Sequence, residues 1–418
     1  MIGEIIAIGD ELTSGRILNT TSYFAASQLF AAGHEVRAMI TIGDDIERIG
    51  RTLQEVLSRS DFVIVTGGLG PTSDDMTNAA VSTALERPSR LYPEILRKIR
   101  QHGKGISGIA QTALEKLAWL PDGAHALHTE AKTAGYFLVH EGKPIFFLPG
   151  VPHEMKELLV ETVLTRLSVW EGEEARRVRQ KLYRVFGLSE SEINRKLGHL
   201  EGRDARVRLG YYPVYPEVQV SLTVAARSGP EAEALFRQLD GQLTELLGTH
   251  LFAIGADTLA GVIGRQLLAK GQTIAIAESC TGGLVGQLLT KVPGSSAYFL
   301  GGVVAYSNAL KERFLGVEPE TLLRHGAVSP ETARAMAEGI RCRTGADYAL
   351  SVTGIAGPDG GSADKPVGTV YLGLAAPEKT YDFPCHFSGD RGQIQSISAY
   401  TALDLLRRRL LDYELITG

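Results

Sequence analysis

The feature that most constrains this chain is a set of short apolar runs, each ending in a glycine-rich turn with a helix pattern directly behind it. Asp61–Thr66 runs into GGLGPTSDD, and Thr273–Ala277 runs into ESCTGG. Strands that alternate with helices in this way predict a parallel sheet with helices on both faces. Over the first 165 or so residues the pattern predicts strands at Gly3–Ile8, His34–Ile42, Asp61–Thr66 and Pro144–Leu148. Helices are predicted between them at Thr20–Ala32, Asp45–Ser58 and Met76–Leu85. A polar stretch, Glu171–Gln180, reads as a linker. Lys181–Gly248 then reads as strand, helix, strand, helix. From Asp257 the strand–helix alternation resumes and closes on an arginine-bearing helix, Gln393–Leu411.

Length supports this division, since 418 residues exceed what one hydrophobic core usually serves. The expected organisation is an α/β chain: a three-layer α/β domain over 1–170, a small α+β domain over 175–250, and a second α/β domain over 255–418. The middle stretch carries no recognisable catalytic cluster and reads as a spacer or dimerisation module. A net charge of −5 with no basic block disfavours a broad polyanion-binding face, so no direct nucleic-acid contact is expected. Three scattered cysteines, Cys280, Cys342 and Cys385, fit neither a disulfide framework nor a CxxC zinc site. No run approaches the ~20 apolar residues of a membrane-spanning helix. These features predict a cytoplasmic protein with no membrane association.

Four C-terminal segments sit where a strand ends or a helix begins: AESCTGG (277–283), PGSS (293–296), YSNALKE (306–312) and TGIAGPDGG (353–361). In open α/β sheets that edge is where ligands bind. Amide hydrolysis needs a nucleophile, a proton shuttle and stabilisation of an oxyanion. No Ser-His-Asp set is visible, because His325 and His386 are the only histidines after Asp257 and neither lies in a glycine-rich turn. A lysine base is the alternative, provided that burial or a cationic neighbour lowers its pKa from ~10.4. Lys311 follows Tyr306 on a helix, and Ser295 or Ser296 would attack. Taken one at a time, each segment also has a plain structural reading, as a turn, a solvated lysine or a flexible loop.

Near the N-terminus, Gly67, Gly68 and Gly70 permit close approach of backbone to a phosphate. Asp44, Asp74 and Asp75 offer oxygens to a hard divalent cation, which would polarise bridged phosphates. The plain alternative is helix-capping acids beside a glycine turn.

AESCTGG, PGSS, GGVVAYSNALKERFLGV, HGAVS and VTGIAGPDGGSADKPVGTVY together resemble the C-terminal domain of the CinA family, known as a nicotinamide mononucleotide (NMN) deamidase. The resemblance covers nearly all of Asp257–Asp412. It implies Ser296 as nucleophile, Lys311 as base and Tyr306 as proton relay. It implies Ser279 and the following Gly282 and Gly283 as pocket and phosphate contacts, Thr281, Ser295, Thr353, Gly354 and Gly357 as further substrate contacts, Arg391 as partner of the substrate phosphate, and no cofactor at this site.

IGDELTSGRILNT, IGDDIERI, TGGLGPTSDDMT and LPGVPHEM resemble the molybdopterin-binding fold and, more closely, the CinA N-terminal domain, which is associated with ADP-ribose pyrophosphatase activity. That match implies Asp44 and Asp75 as catalytic, metal-holding acids. It implies Glu154 as a further metal carboxylate, and a divalent ion (Mg, Mn or Co). Gly9, Asp10, Glu11, Asn19, Gly67, Gly68 and Gly70 are the implied substrate contacts. The match departs from the family pattern at IAQTALEK (109–116) and at AKTAGY (131–136), two segments that contact the nucleotide in the related fold. The resulting expectation is a bifunctional, homodimeric hydrolase acting on NMN and ADP-ribose. The alternatives are an N-terminal regulatory module that binds a nucleotide or a pterin, or an accessory scaffold in DNA uptake or repair.

Overall fold

The computed structural model describes residues 1–72, 74–102, 114–127, 135–171, 177–202, 204–226 and 229–416. They form two compact units, Met1–Arg179 with Ala225–Ala232, and Gln180–Val224 with Glu233–Gly418.

In the first unit, β1 (Ile2–Ile8), β2 (Glu35–Ile42) and β3 (Phe62–Thr66) are followed by β4 (Ser89–Leu91), β5 (Trp119–Pro121), β6 (His125–Ala126), β7 (Tyr136–His140) and β8 (Lys143–Leu148). The main sheet runs β2-β1-β3-β8-β7-β6, and β4 pairs with β5 apart from it. The predicted strands β1, β2, β3 and β8 are parallel neighbours. The expectation of a wholly parallel sheet needs correction, because β7 and β6 add antiparallel to its edge. Alternation sorts the side chains to two cores. Ile6, Ile8, Val63 and Val65 pack on one face with Ile49, Leu53 and Val56 of the Ile46–Arg59 helix. Ile5, Phe62 and Ile64 pack on the other with Ala25 and Leu29 of the Thr20–Ala31 helix. The result is the three-layer arrangement expected.

The second unit holds two sheets. The four-stranded sheet has order β10-β11-β9-β12, built from β9 (Arg177–Val185), β10 (Val207–Val214), β11 (Glu217–Ala226) and β12 (Leu251–Ile254). The sequence pattern predicted two strands here. β10 and β12 were missed, and β10 forms an antiparallel hairpin with β11. Tyr183 and Val185 of β9 face the helices Glu190–Leu197 and Gly229–Leu247.

The five-stranded sheet has order β14-β13-β15-β16-β17, from β13 (Ile274–Glu278), β14 (Phe299–Val304), β15 (Tyr348–Gly354), β16 (Thr369–Ala375) and β17 (Thr380–His386). β14, β13 and β15 are parallel, and β16 and β17 are antiparallel additions. In β13, Ile274 and Ile276 face a core with Ile263, Leu289 and Leu406, while Ala275 and Ala277 face Met336 and Ile340. Phe186, just after β9, and Phe252 of β12 belong to the first of these cores. Among the described residues no helix is long and apolar enough to cross a membrane.

Candidate active site

β13 ends where its neighbours end. Ser279 donates its N–H to Val352 O of β15 (2.9 Å), and Ala305, just past β14, donates to Glu278 O (2.8 Å). The chain then turns tightly through Gly282 and Gly283, whose φ values of 64° and 104° suit glycine. It enters the helix Leu284–Thr290.

Sequence reasoning missed Glu278. Its carboxylate is 1 % exposed. It accepts N–H bonds from Gly283 (3.0 Å), Val285 (3.1 Å) and Gly286 (2.9 Å). A helix N-terminus collects unpaired N–H groups and favours an anion, and here the protein supplies its own. The expected phosphate contact at Gly283 is therefore corrected: its amide is already spent on Glu278. The only sequence signal was an acid ending an otherwise apolar strand.

Ser307 caps the helix Asn308–Leu315, and Lys311 stands one turn inside it. Lys311 is 1 % exposed. Its Nζ lies 3.1 Å from Ser279 Oγ and donates to Ala305 O at 2.8 Å. Among the described residues no carboxylate pairs with it. Burial lowers its pKa from the ordinary lysine value. Burial pushes the neighbouring Cys280 thiol up to about 12, so it stands protonated beside the pair.

The expected Ser296–Lys311 pairing is not formed. Ser295 and Ser296 lie in a short 3₁₀ turn, Ser295–Ala297, before β14 begins. Tyr306 and Lys311 follow its end. Because β14 pairs in parallel with β13, from Ile274↔Phe299 to Glu278↔Val304, the strand's length separates the two serines from the lysine. Ser279, expected only as a pocket contact, takes the place beside the amine.

Tyr306 and Arg391 do come together. Arg391 opens the helix Arg391–Leu410 and donates from one nitrogen to Tyr306 Oη (2.9 Å) and from the other to Gly357 O (2.6 Å). Gln395 Nε2 of the same helix donates to Cys280 O (2.8 Å). These contacts draw the 279–283 turn, the loop after β14, the loop after β15 and the last helix to one end of the sheet. Thr353 has a structural partner: its hydroxyl donates to Ala327 O (2.6 Å). Gly354 sits in the ladder opposite Val370. Lys365, not singled out in the sequence, donates to His325 O and Val328 O and ties the loop after β15 to HGAVS. Thr281 is buried, and its hydroxyl has no hydrogen-bond partner among the described residues.

In the first unit, the C-terminal sheet edge gathers the expected acids in a different arrangement. Asp10 and Asp44 brace each other: Asp10 N–H donates to Asp44 Oδ2 (2.9 Å), and Asp44 N–H to Asp10 Oδ1 (3.1 Å). Burial first, then Asp10, Glu11 and Asp74, raise the Asp44 pKa from its ordinary value. Asp75 is a loop staple. Its carboxylate accepts from Gly70 N–H (2.7 Å), from Thr72 N–H (2.8 Å) and from the Thr72 hydroxyl. Lys116 closes the same loop on Thr72 O (2.7 Å) and Asp75 O (3.0 Å).

The residues expected to hold a divalent ion have these places in the structure. Asp75 is consumed by its own loop, Glu154 lies on the separate helix Pro152–Leu158, and no group of three His, Cys, Asp or Glu among the described residues is placed to hold a metal. The expected phosphate cradle is corrected likewise. Gly67 N–H donates to Leu148 O (3.1 Å) and Gly70 N–H to Asp75, and Thr77 closes on Gly67 O and Gly68 O. Gly67 is required because a Cβ there would stand 2.2 Å from Ile8 O. Gly9 N–H donates to Ile42 O. Asn19 caps the Thr20–Ala31 helix and donates to Thr41 Oγ1 (3.1 Å). The departures at 109–113 and 131–134 lie outside the described residues.

Comparison with known proteins matches residues 256–410 to the family described as CinA C-terminal domain, residues 4–168 to a probable molybdopterin binding domain, and residues 180–253 to the damage-inducible protein CinA KH domain. A CinA-like protein of Desulfotalea psychrophila is 50 % identical over 408 residues, 98 % of each chain. One of Citrifermentans bemidjiense is 42 % identical over 415 residues, 99 % of each chain. Among solved structures, the competence/damage inducible protein CihA of Agrobacterium tumefaciens is 42 % identical with a TM-score of 0.36, spanning 37 % of this chain and 93 % of that one.

Proposed function

This chain belongs to the CinA family, and on that premise we propose that its C-terminal site hydrolyses the carboxamide of NMN, releasing ammonia and nicotinate mononucleotide. One observation carries the reading: a buried lysine amine 3.1 Å from a serine hydroxyl, with no carboxylate paired to it among the described residues. A lysine so placed, its pKa lowered by burial, acts as a general base in its neutral form, and the serine beside it is then an activated nucleophile.

The steps follow from the contact. Lys311 takes the proton of Ser279 as Oγ bonds to the carboxamide carbon. The tetrahedral oxyanion collapses, the C–N bond breaks, and the Lys311 ammonium returns the proton to the leaving nitrogen, which departs as ammonia. Water, deprotonated by Lys311, attacks the acyl-serine. As the second tetrahedral intermediate collapses, the acyl–Oγ bond breaks, the Lys311 ammonium returns its proton to Ser279 Oγ, and the carboxylic acid leaves and ionises, its proton taken up by the released ammonia. Arg391, tied to Tyr306, is the residue proposed to meet the substrate phosphate, because the helix N-terminus behind Gly283 is filled by Glu278. Ser279 replaces Ser296 as the attacking group in this scheme.

The test is to trap the acyl-enzyme with NMN by acid quench and to map the modified peptide. A label on Ser279, absent from Ser279→Ala, supports the scheme. A label on Ser296, or full turnover by Ser279→Ala, refutes it.

For the first unit, family membership supports a nucleotide-binding role at the β1–β3 edge, with ADP-ribose as the proposed substrate. No catalytic step is assigned, since Asp75 serves its loop. Formation of AMP from ADP-ribose by wild type, lost in Asp44→Asn, would support hydrolysis. Saturable ADP-ribose binding without AMP would leave a binding module.

A further inference from the structure

The β10–β11 hairpin ends close to the proposed deamidase site. Its two-residue turn, Tyr215–Pro216, is flanked by the pair Val214↔Glu217. The strand end next to this turn is held firmly. Glu217 is 3 % exposed and accepts from Arg184 Nη2 (2.6 Å), Arg184 Nε (2.8 Å) and Gln219 Nε2 (2.8 Å). Arg184 also donates to Asp257 O, at the start of the segment that carries the five-stranded sheet. Beside this anchor, the Phe186 and Tyr400 rings meet at 5.8 Å, and Tyr400 lies on the Arg391–Leu410 helix. The hairpin is thus fixed against the same helix that opens with Arg391.

Its tip reaches the first turn of that helix. Tyr215 Oη donates to Gln393 O at 3.0 Å. Gln393 is the far half of a capping box: its N–H donates to Asp390 Oδ1, and its Oε1 accepts from Asp390 N–H, both at 2.9 Å. Arg391 lies between these two residues and makes both of its site contacts from there, to Gly357 O and Tyr306 Oη. Burial and the Asp390 carboxylate raise the Tyr215 pKa, so the hydroxyl stays a donor.

We infer that the β10–β11 hairpin is a brace for the deamidase site, in which Tyr215 holds the first turn of the last helix and so aims the Arg391 guanidinium. This gives the middle segment a role in substrate binding, where the sequence pattern was read as a spacer or dimerisation module. The inference rests on the reading that Arg391 meets the substrate. A long side chain at a helix start loses rotamer freedom on binding, and fixing its backbone beforehand reduces that cost. One hydrogen bond of this kind corresponds to about a threefold to tenfold change in an equilibrium constant.

The experiment uses the full chain and Tyr215→Phe, which removes only the hydroxyl. The expected result is a KM for NMN raised about threefold to tenfold with kcat within twofold. In an Arg391→Ala background the same substitution should change KM by less than twofold, because the residue it positions is gone. Unchanged KM in Tyr215→Phe, or an equal effect with and without Arg391, overturns the brace. Hydrogen exchange of the amides over 390–396 reads the brace without substrate. Faster exchange there in Tyr215→Phe is expected, and unchanged exchange overturns it. If wild type releases no ammonia from NMN, the deamidase reading fails, and the exchange result alone decides whether the hairpin restrains the helix.

Discussion

The amine of Lys311 and the hydroxyl of Ser279 stand 3.1 Å apart although 32 positions separate them in the chain. The contact forms because β13 and β14 end together. The turn leaving one strand then meets the helix that follows the other, at the sheet edge where α/β proteins bind ligands.

The pH dependence follows from burial. Lys311 acts as a base only when neutral, and burial lowers its pKa below 10.5. The kcat/KM for ammonia release should therefore rise with pH to a plateau whose midpoint lies below 10.5. Linkage gives the same sign for stability. The folded state binds fewer protons than the unfolded chain between the lowered pKa and 10.5, so stability rises with pH across that window. A rate that falls with pH across it would contradict the assignment.

Lys311→Met should separate chemistry from folding. Loss of the base should reduce turnover by about 10²-fold or more. Methionine fills a similar volume without burying an amine, so the denaturation midpoint at pH 7 should not fall. A comparable loss of both would make Lys311 a structural residue.

Glu278→Gln exchanges one carboxylate oxygen for an amide that cannot accept from backbone N–H. Three such donors converge on Glu278, and leaving one unpaired costs about 1–3 kcal/mol. Denaturant titration should register that loss, and ammonia release should fall with it, because the same turn presents Ser279. Unchanged stability would mean that the helix terminus does not need its internal anion.

A fragment beginning at Gly255 should be less stable than one beginning at Arg177. Arg407 donates to Thr249 O (2.7 Å), and Arg407 and Arg408 are buried around Asp404. Phe186 and Phe252 fill the core beneath the last helix. Removing a buried aromatic ring typically costs about 3–5 kcal/mol. Equal melting temperatures for the two fragments would contradict this packing.

In the first unit, Asp44→Asn should remove a pH dependence. The raised Asp44 pKa means that the folded state keeps its proton longer than the unfolded chain. Wild-type stability therefore loses a contribution as pH rises from about 3.8 through the raised value. The Asn variant keeps an acceptor for Asp10 N–H and should lack that slope, measured as denaturation midpoint against pH.

Much of the architecture was legible in the sequence. The apolar run before ESCTGG became β13, and the helix after Tyr306 became Asn308–Leu315, with Ser307 as its cap. β10, and with it the hairpin to β11, was missed because Gly210, Pro213 and the run of exposed residues Tyr212–Val214 break its alternation. The site was legible as a set of segments and not as pairs. Lys311 could be named as a base, but its partner depends on the parallel register of two strands, which no local pattern carries. Asp75 looked like a metal ligand because an acid beside a glycine turn reads the same whether it faces a cation or its own loop's N–H groups.

Ammonia released from NMN by the purified full chain, in the presence of EDTA, tests the central claim most directly. The account predicts one ammonia per nicotinate mononucleotide from wild type, undiminished by the chelator, and about 10²-fold less or lower from Ser279→Ala and Lys311→Met. No ammonia from wild type, ammonia that disappears with EDTA and returns with a divalent cation, or near-normal release by Ser279→Ala would contradict it.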